Sequence, residues 1–443
     1  MTAGAGEAAS RAPARARKHP PLLRPFAATG LAAGVLGSTL GAILVLRIHL
    51  ALGPVSPLWK QVHGQAQVFG FIVPLVVGFA TYLVPRIVGG RPIRAALARP
   101  AAAAFALATA ADFAVPLVDG AAALALRRAL ALLVAGGAVA AAASLYAPLR
   151  SIRRDGDRPR GHERLLGASL AFLALGGLVD AVAWWSSPPD GELPAALASG
   201  AWRLGIEGFA VGMGLTISAR MFSGFLGIPP SLSYSRVGRA GMARERLFVS
   251  AAWAWAASVA LGALADASGS FRLQSVADIV FAAGIVPLSL QLGLARTADG
   301  PAIDRTRDPF FPVGARAAYA LLALAGIVGA AAGAADLLGA PAHTLWLDAR
   351  RHLLTIGFLL TLVATMAGRL APGFAGRPLA LPGLRTFAVL GFAVSAALRA
   401  LEGVAGQWGP AALLWASAFS GPLAAAALLA LAASIAATLF AAN

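Results

Sequence analysis

Runs of about 20 apolar residues, the length an α-helix needs to cross a hydrocarbon core of about 30 Å, recur along the whole chain. They cover approximately 27–50, 66–86, 99–118, 124–148, 165–185, 203–223, 247–266, 274–295, 316–338, 351–371, 383–402 and 411–440. In such a medium a backbone must satisfy its own hydrogen bonds, so each run is expected to be a helix. Of the 443 residues 58% are hydrophobic and 12% are charged, against roughly 25% charge in soluble domains. A water-soluble enzyme is thereby excluded, and no stretch between the runs is long enough to fold alone. The expected division is a basic cytoplasmic tail at 1–25 and a single membrane domain at 26–443.

The net charge of +17 is carried by arginine, with Lys18 and Lys60 the only lysines. In a soluble chain this would suggest nucleic acid. Here the arginines fall between the apolar runs, as in Arg86/Arg91/Arg94, Arg150/Arg153/Arg154, Arg236/Arg239 and Arg296/Arg305, so membrane lipids are the expected partners and nucleic acid is not. The positive-inside rule puts these connections in the cytoplasm, which gives an even number of helices and both termini in the cytoplasm of a bacterial-type inner membrane. The first run has no small-residue cleavage site after it and reads as a retained helix. The chain has no cysteine, so disulfides and thiolate metal sites are excluded.

An internal repeat orders the twelve runs. The stretch from Trp202 lies on the stretch from Arg351 without a gap: Gly208-Phe209 on Gly357-Phe358, Arg220 on Arg369, Gly224-Phe225 on Gly373-Phe374, Gly227 on Gly376 and Pro229 on Pro378, all at an offset of 149. A looser copy runs from His63 through Gly70-Phe71 to Pro92, with its arginine, Arg86, out of register. The copies fall on the second, sixth and tenth runs, so the unit is four helices, at about 26–150, 151–300 and 301–443. An even-numbered unit repeats in one orientation, which implies three parallel four-helix repeats with a pseudo-threefold arrangement; inverted repeats need an odd unit.

Ionisable residues in such helices mark candidate sites. His19 and His162 lie in basic stretches, where solvation or lipid headgroups suit them; His49 and His343 lie near helix ends. His63 and His352 differ in that each opens a copy of the repeat, which places both at one depth on helices of the same direction. Two imidazoles so placed suit axial ligation of a haem iron; the other reading is two helix-end histidines facing water. His63 lies seven residues before Gly70 and His352 five before Gly357, which turns them apart by about half a helical turn. Arg350, Arg351 and Arg203, with Lys60, are candidates for propionate partners or for lipid anchors. Asp112, Asp180, Glu207, Asp278 and Asp336 read as buried acids, with Glu207 expected to pair with Arg203 one turn away. Arg220 and Arg369 are expected to snorkel to the cytoplasmic interface. No histidine lies within the fifth to eighth runs, so a three-histidine copper centre for oxygen reduction is not encoded.

The stretch His352-Leu-Leu-Thr-Ile-Gly, with Met366, Arg369 and Gly376-Arg377-Pro378-Leu379, resembles a signature of the NnrS family, as do His19-Pro20, Arg24-Pro25-Phe26 and Trp59…His63…Phe69-Gly70-Phe71. That resemblance implies a multi-pass membrane protein associated with haem and copper and with nitric oxide metabolism or nitrosative stress. The family's second helix reads Trp-His-x-His-Glu; Trp59-Lys60-Gln61-Val62-His63-Gly64 lacks one histidine and the glutamate, which argues against copper. His63-Gly64 with Phe69, Pro74, Gly78 and Leu83-Val84-Pro85 is also similar to the second helix of haem-copper oxidase subunit I. That subunit has twelve helices in three arcs and low-spin haem ligands on its second and tenth helices. The resulting expectation is a haem-binding membrane protein, with haem type and redox partner open, that binds or responds to nitric oxide. A secondary transporter without haem and an assembly partner of a respiratory complex are the alternatives.

Overall fold

The computed structural model describes residues 22–151, 161–188, 192–226, 239–294, 308–340, 344–409 and 411–440. His19, His343, Gly227, Pro229 and many of the arginines between runs lie outside them. Among the described residues there is no strand. The chain runs through α1 (Leu23–His49), α2 (Pro57–Val88), α3 (Ala95–Leu117), α4 (Gly120–Arg150), α5 (Gly161–Ser186), α6 (Ala195–Phe225), α7 (Arg239–Ser268), α8 (Phe271–Leu294), α9 (Phe311–Leu337), α10 (Thr344–Ala375), α11 (Pro382–Trp408) and α12 (Ala411–Leu439, interrupted at Phe419). Eleven of these are long and apolar enough to cross a membrane. The remaining one, α6, carries Arg203, Glu207 and Arg220 within its length. By length and composition the described chain is a multi-pass helical bundle.

Burial separates the helices that carry the repeat from the others. The most apolar stretches of α2 and α10 are 89% and 72% buried, against at most 56% for the other nine spans. Because lipid-facing helices cannot bury more than about half their surface, α2 and α10 belong at the centre. α6 joins them: Gly205 abuts Val68 of α2, and Gly214 abuts Phe358 and Leu362 of α10. Tyr82 of α2 meets Phe374 of α10 edge-on, with ring centroids 4.4 Å apart. The outer helices pack side by side around these three, and α12 closes on α1.

α2, α6 and α10 share a construction that hydropathy does not reveal. Each opens with nine α-helical residues (Pro57–Gln65, Ala195–Arg203, Thr344–His352) and then passes into a π-helical segment. The π segments begin at Ala66, Leu204 and Leu353, in each case four residues before the Gly-Phe pair. A π turn leaves a carbonyl without its usual amide partner. In α10 the Thr361 hydroxyl donates to Ile356 O at 3.2 Å, and in α6 the Trp255 indole donates to Glu207 O at 2.9 Å. In α2, Pro74 just beyond the segment has no N–H to give. His63 and His352 are consequently set one to two turns inside their helices instead of at the helix starts. The apolar runs understate α2 and α10 because their first turns are polar.

The last turns explain why the first copy looks shifted. Gly89 and Gly376 both end their helices in the left-handed conformation (φ 71° and 65°), each nineteen residues after its Gly-Phe glycine, a conformation that glycine adopts without strain. The extra residue of the first copy, Gly90, lies beyond that stop, so the helical register is kept. Counted this way, Tyr82 stands where the other copies have Arg220 and Arg369. Arg86, one turn later, folds back over the Tyr82 ring, its guanidinium 3.3 Å from the centroid.

Small residues let the helices approach closely. A Cβ on Gly284 of α8 would lie 2.5 Å from Trp255 N and 2.8 Å from Ala251 O of α7, backbone atoms that cannot rotate away. Replacing Gly284 with alanine should destabilise the bundle by about 1–3 kcal/mol, the usual cost of overpacking, measured as a lower melting temperature in detergent. Gly136 of α4 has open space at its Cβ, and Gly136→Ala should not lower it.

Candidate functional site

The first turns of α2, α6 and α10 place their polar side chains in the gaps between helices at one end of the bundle. His63 of α2 and His352 of α10 both lie at this end, near enough for their charges to interact. Room for His63 comes from α1, whose Gly30, Gly34, Gly37 and Gly41 form one face lying along α2. The His63 ring lies over Gly41, where a Cβ would come within 2.8 Å of Nδ1 and 3.0 Å of Nε2, and His63 Nδ1 is 2.8 Å from Gly37 O. On the other side, His352 Nδ1 is 2.9 Å from Asp348 O and 3.3 Å from Asp348 Oδ2. Carbonyl and carboxylate oxygens only accept, so each Nδ1 carries the proton and donates it. The lone pair of each neutral ring is then on Nε2.

A chain of charges continues from His352 into α11 and α1. Asp348 takes both Arg399 Nε (3.0 Å) and a terminal nitrogen (2.7 Å). Arg399 also meets Glu402 Oε2 at 3.0 Å, and Glu402 Oε1 lies 3.4 Å from His49 Nε2. His352, Asp348 and Arg399 are close enough to His63 for their charges to act on it. Asp348, Arg399 and Glu402 were not among the residues singled out from sequence. The available signals were spacing: Asp348 precedes His352 by four residues and Arg399 precedes Glu402 by three, which puts each pair on one helical face.

The gap between α10 and α6 holds a buried ion network. Arg203 reaches Asp266 Oδ2 (2.8 Å), Glu207 Oε2 (3.1 Å) and Asp278 Oδ1 (3.9 Å). Arg350 reaches Glu207 Oε1 (3.0 Å) and Asp278 Oδ1 (3.4 Å), with its guanidinium 4.9 Å from the Phe281 ring centre. The expected Arg203–Glu207 pair is present, within a larger set. Both arginines lie across glycines: Gly262 for Arg203 and Gly329 for Arg350. Their charge is taken up by carboxylates. Arg351 instead is exposed and lines a cleft of about 420 Å³ with Trp202, Leu354 and Thr355.

Two positions recur among these residues. Counting back from each Gly-Phe glycine, His63 and Arg350 stand at seven residues, and Gln65, Arg203 and His352 at five. Arg350 of α10 and Arg203 of α6 share Glu207 and Asp278, so positions seven and five on neighbouring central helices face one gap.

Other sequence expectations are corrected. Asp336 is exposed, not buried. His162 is buried at 2% exposure beside Glu163, not solvated, because the first turn of α5 packs against α7, with Gly161 against Phe248. Arg369 does more than reach for an interface: its guanidinium sits 5.3 Å and 5.2 Å from the rings of Phe225 and Phe311. Arg377 caps α12 through Thr438 O (2.8 Å) and Ala437 O (3.0 Å), and buried Arg385 pairs with Asp308 at 2.7 Å. No group of three or more His, Asp or Glu side chains suited to a bare metal ion occurs among the described residues.

Comparison with known proteins returns no matching family model and no matching curated relative. The chemistry must therefore be argued from the gaps themselves.

Removing one member of a buried ion network strands its partners, at a cost of about 3–5 kcal/mol. Glu207→Ala should lower thermal stability by an amount of that order, whereas Asp336→Ala, at an exposed acid, should change it by less than about 0.5 kcal/mol. Parallel melting curves of the two variants check this.

Proposed function

We propose that the chain is a haem-binding, multi-pass membrane protein resembling the NnrS family, with the haem held between α2 and α10 by His63 and His352. The observation that carries this reading is the pair of Nδ1 hydrogen bonds. An imidazole ligates iron well when its other nitrogen donates to a carbonyl or carboxylate, which orients the ring and raises its basicity. His63 has such a partner in Gly37 O and His352 in Asp348, and both leave Nε2 for a metal. Haem would supply one-electron redox chemistry; both histidines on one iron favours electron transfer, and one alone leaves a position for nitric oxide. Of the three arginines considered for propionates, Arg203 and Arg350 already serve carboxylates, and Arg351 is the one left for that role. The link to nitric oxide metabolism or nitrosative stress rests on the family resemblance.

The same reading includes twelve membrane helices in three parallel four-helix units about a pseudo-threefold axis, with the arginine-rich end and both termini in the cytoplasm. Three kinds of equivalence support it. The π segments begin at the same register in α2, α6 and α10. At the other end, position twelve of one central helix meets position seventeen of another, as Tyr82 on Phe374 and Arg369 on Phe225. The Gly41/His63 contact of α1 with α2 is repeated as Gly329/Arg350 of α9 with α10.

Protein purified after expression with ample haem supply should show a Soret band with sharp α and β bands on reduction. His63→Ala and His352→Ala should each abolish or shift the band, and Gly41→Leu should do the same by displacing the His63 ring. Absence of a Soret band from the native protein, or an unchanged spectrum in both histidine variants, would sink the proposal. A spectral shift on adding nitric oxide would identify an open coordination position.

A further inference from the structure

The third flank of the central trio holds acids with no positive side chain to meet them. Asp112 of α3 is 3% exposed, and neither of its carboxylate oxygens has a hydrogen-bond partner. It lines a small, partly open pocket, with room for about one water-sized ion, together with Gln65, Thr109 and Trp184. Asp180 of α5 is fully buried beside it, close enough for the two charges to interact. Its Oδ1 accepts the Gln65 side-chain N–H at 2.6 Å, and the Trp184 indole N–H lies near the carboxylate. Neither acid pairs with a lysine or arginine among the described residues.

The adjoining gap shows how this chain neutralises buried carboxylates when it uses its own side chains: Glu207, Asp266 and Asp278 meet Arg203 and Arg350. At the position equivalent to Arg203, α2 carries Gln65, which brings no charge. Two buried carboxylates cannot both remain ionised in an apolar surrounding without a cation. The pocket residues Asp112, Thr109 and Gln65, with Asp180 next to them, offer hard oxygens, which suit alkali and alkaline-earth ions over softer metals. Among those, a singly charged ion asks for fewer protein ligands than calcium, which takes six to eight.

We propose that Asp112, Asp180, Gln65 and Thr109 form a site for one sodium ion, for which protons compete at the two carboxylates. An ion that binds the folded state raises the melting temperature with the logarithm of its concentration. The test compares melting of the purified protein in sodium chloride and in choline chloride at equal ionic strength, at mildly alkaline and mildly acidic pH, together with direct radiolabelled sodium binding. The expected result is a sodium-specific rise in melting temperature at alkaline pH that shrinks in acid, and about one sodium bound per chain. Asp112→Asn should lose both effects, and Asp336→Asn, at the exposed acid, should keep them. Equal melting in the two salts with no bound sodium would overturn the proposal and leave the pair protonated. Sodium binding that survives intact in Asp112→Asn would also overturn it. The site does not depend on the histidines, so His63→Ala should bind sodium as the native protein does.

Discussion

A charge inside an apolar bundle must be neutralised where it lies, because no water is at hand to do it. This constraint organises the polar interior of the molecule. Glu207 between Arg203 and Arg350 is its clearest expression, at 3.1 Å and 3.0 Å. The chain from Asp348 through Arg399 and Glu402 to His49 is a second. Both lie at the end where α2, α6 and α10 begin, where Lys60, Gln61, His63 and Gln65 of α2, Arg203 and Glu207 of α6, and Asp348, Arg350, Arg351 and His352 of α10 are gathered. Glycines on the surrounding helices make the space, Gly41 under His63, Gly262 under Arg203 and Gly329 under Arg350. A side chain at any of these positions would push an imidazole or guanidinium off its partners, so packing and electrostatics are coupled at single residues.

The π segments tie this end to the remainder of each central helix. A residue inserted into a helical turn rotates everything before it relative to everything after. The apolar stretch can thus keep its contacts with the other two central helices while the preceding turn aims its polar side chains into a gap. Thr361 and the Trp255 indole each satisfy a carbonyl, in α10 and α6 respectively. The segment falls at the same register in all three helices, which makes it part of the repeat and not a local defect.

Comparison of particular residues shows how much was legible in the sequence. The Arg203–Glu207 pair follows from a four-residue spacing on one helix. The match of Gly208-Phe209 to Gly357-Phe358 correctly placed the equivalent turns, and even the misfit of Arg86 had a physical origin, since that side chain returns over Tyr82. The partners of those residues were not legible. Asp266 and Asp278 reach Arg203 from α7 and α8, and Arg399 reaches Asp348 from α11, across sequence separations that no local pattern encodes. Asp336 and His162 were misjudged for the same reason: their exposure depends on which neighbour packs beside them, and hydropathy contains no neighbours.

By itself the sequence determined a helical membrane-type bundle, through apolar runs of spanning length and a near absence of charge within them. It also pointed to equivalent turns in three helices, where the π segments of α2, α6 and α10 begin at one register. Only the tertiary structure decided which flanks of α2, α6 and α10 share a gap. It set the His63 ring against Gly37 and Gly41 of α1 and His352 against Asp348, contacts that the two-residue stagger alone does not reveal. It also decided which charges find partners, leaving Arg203 and Arg350 among carboxylates and Asp112 with none, since neutralisation depends on distance between helices and distance is set by packing.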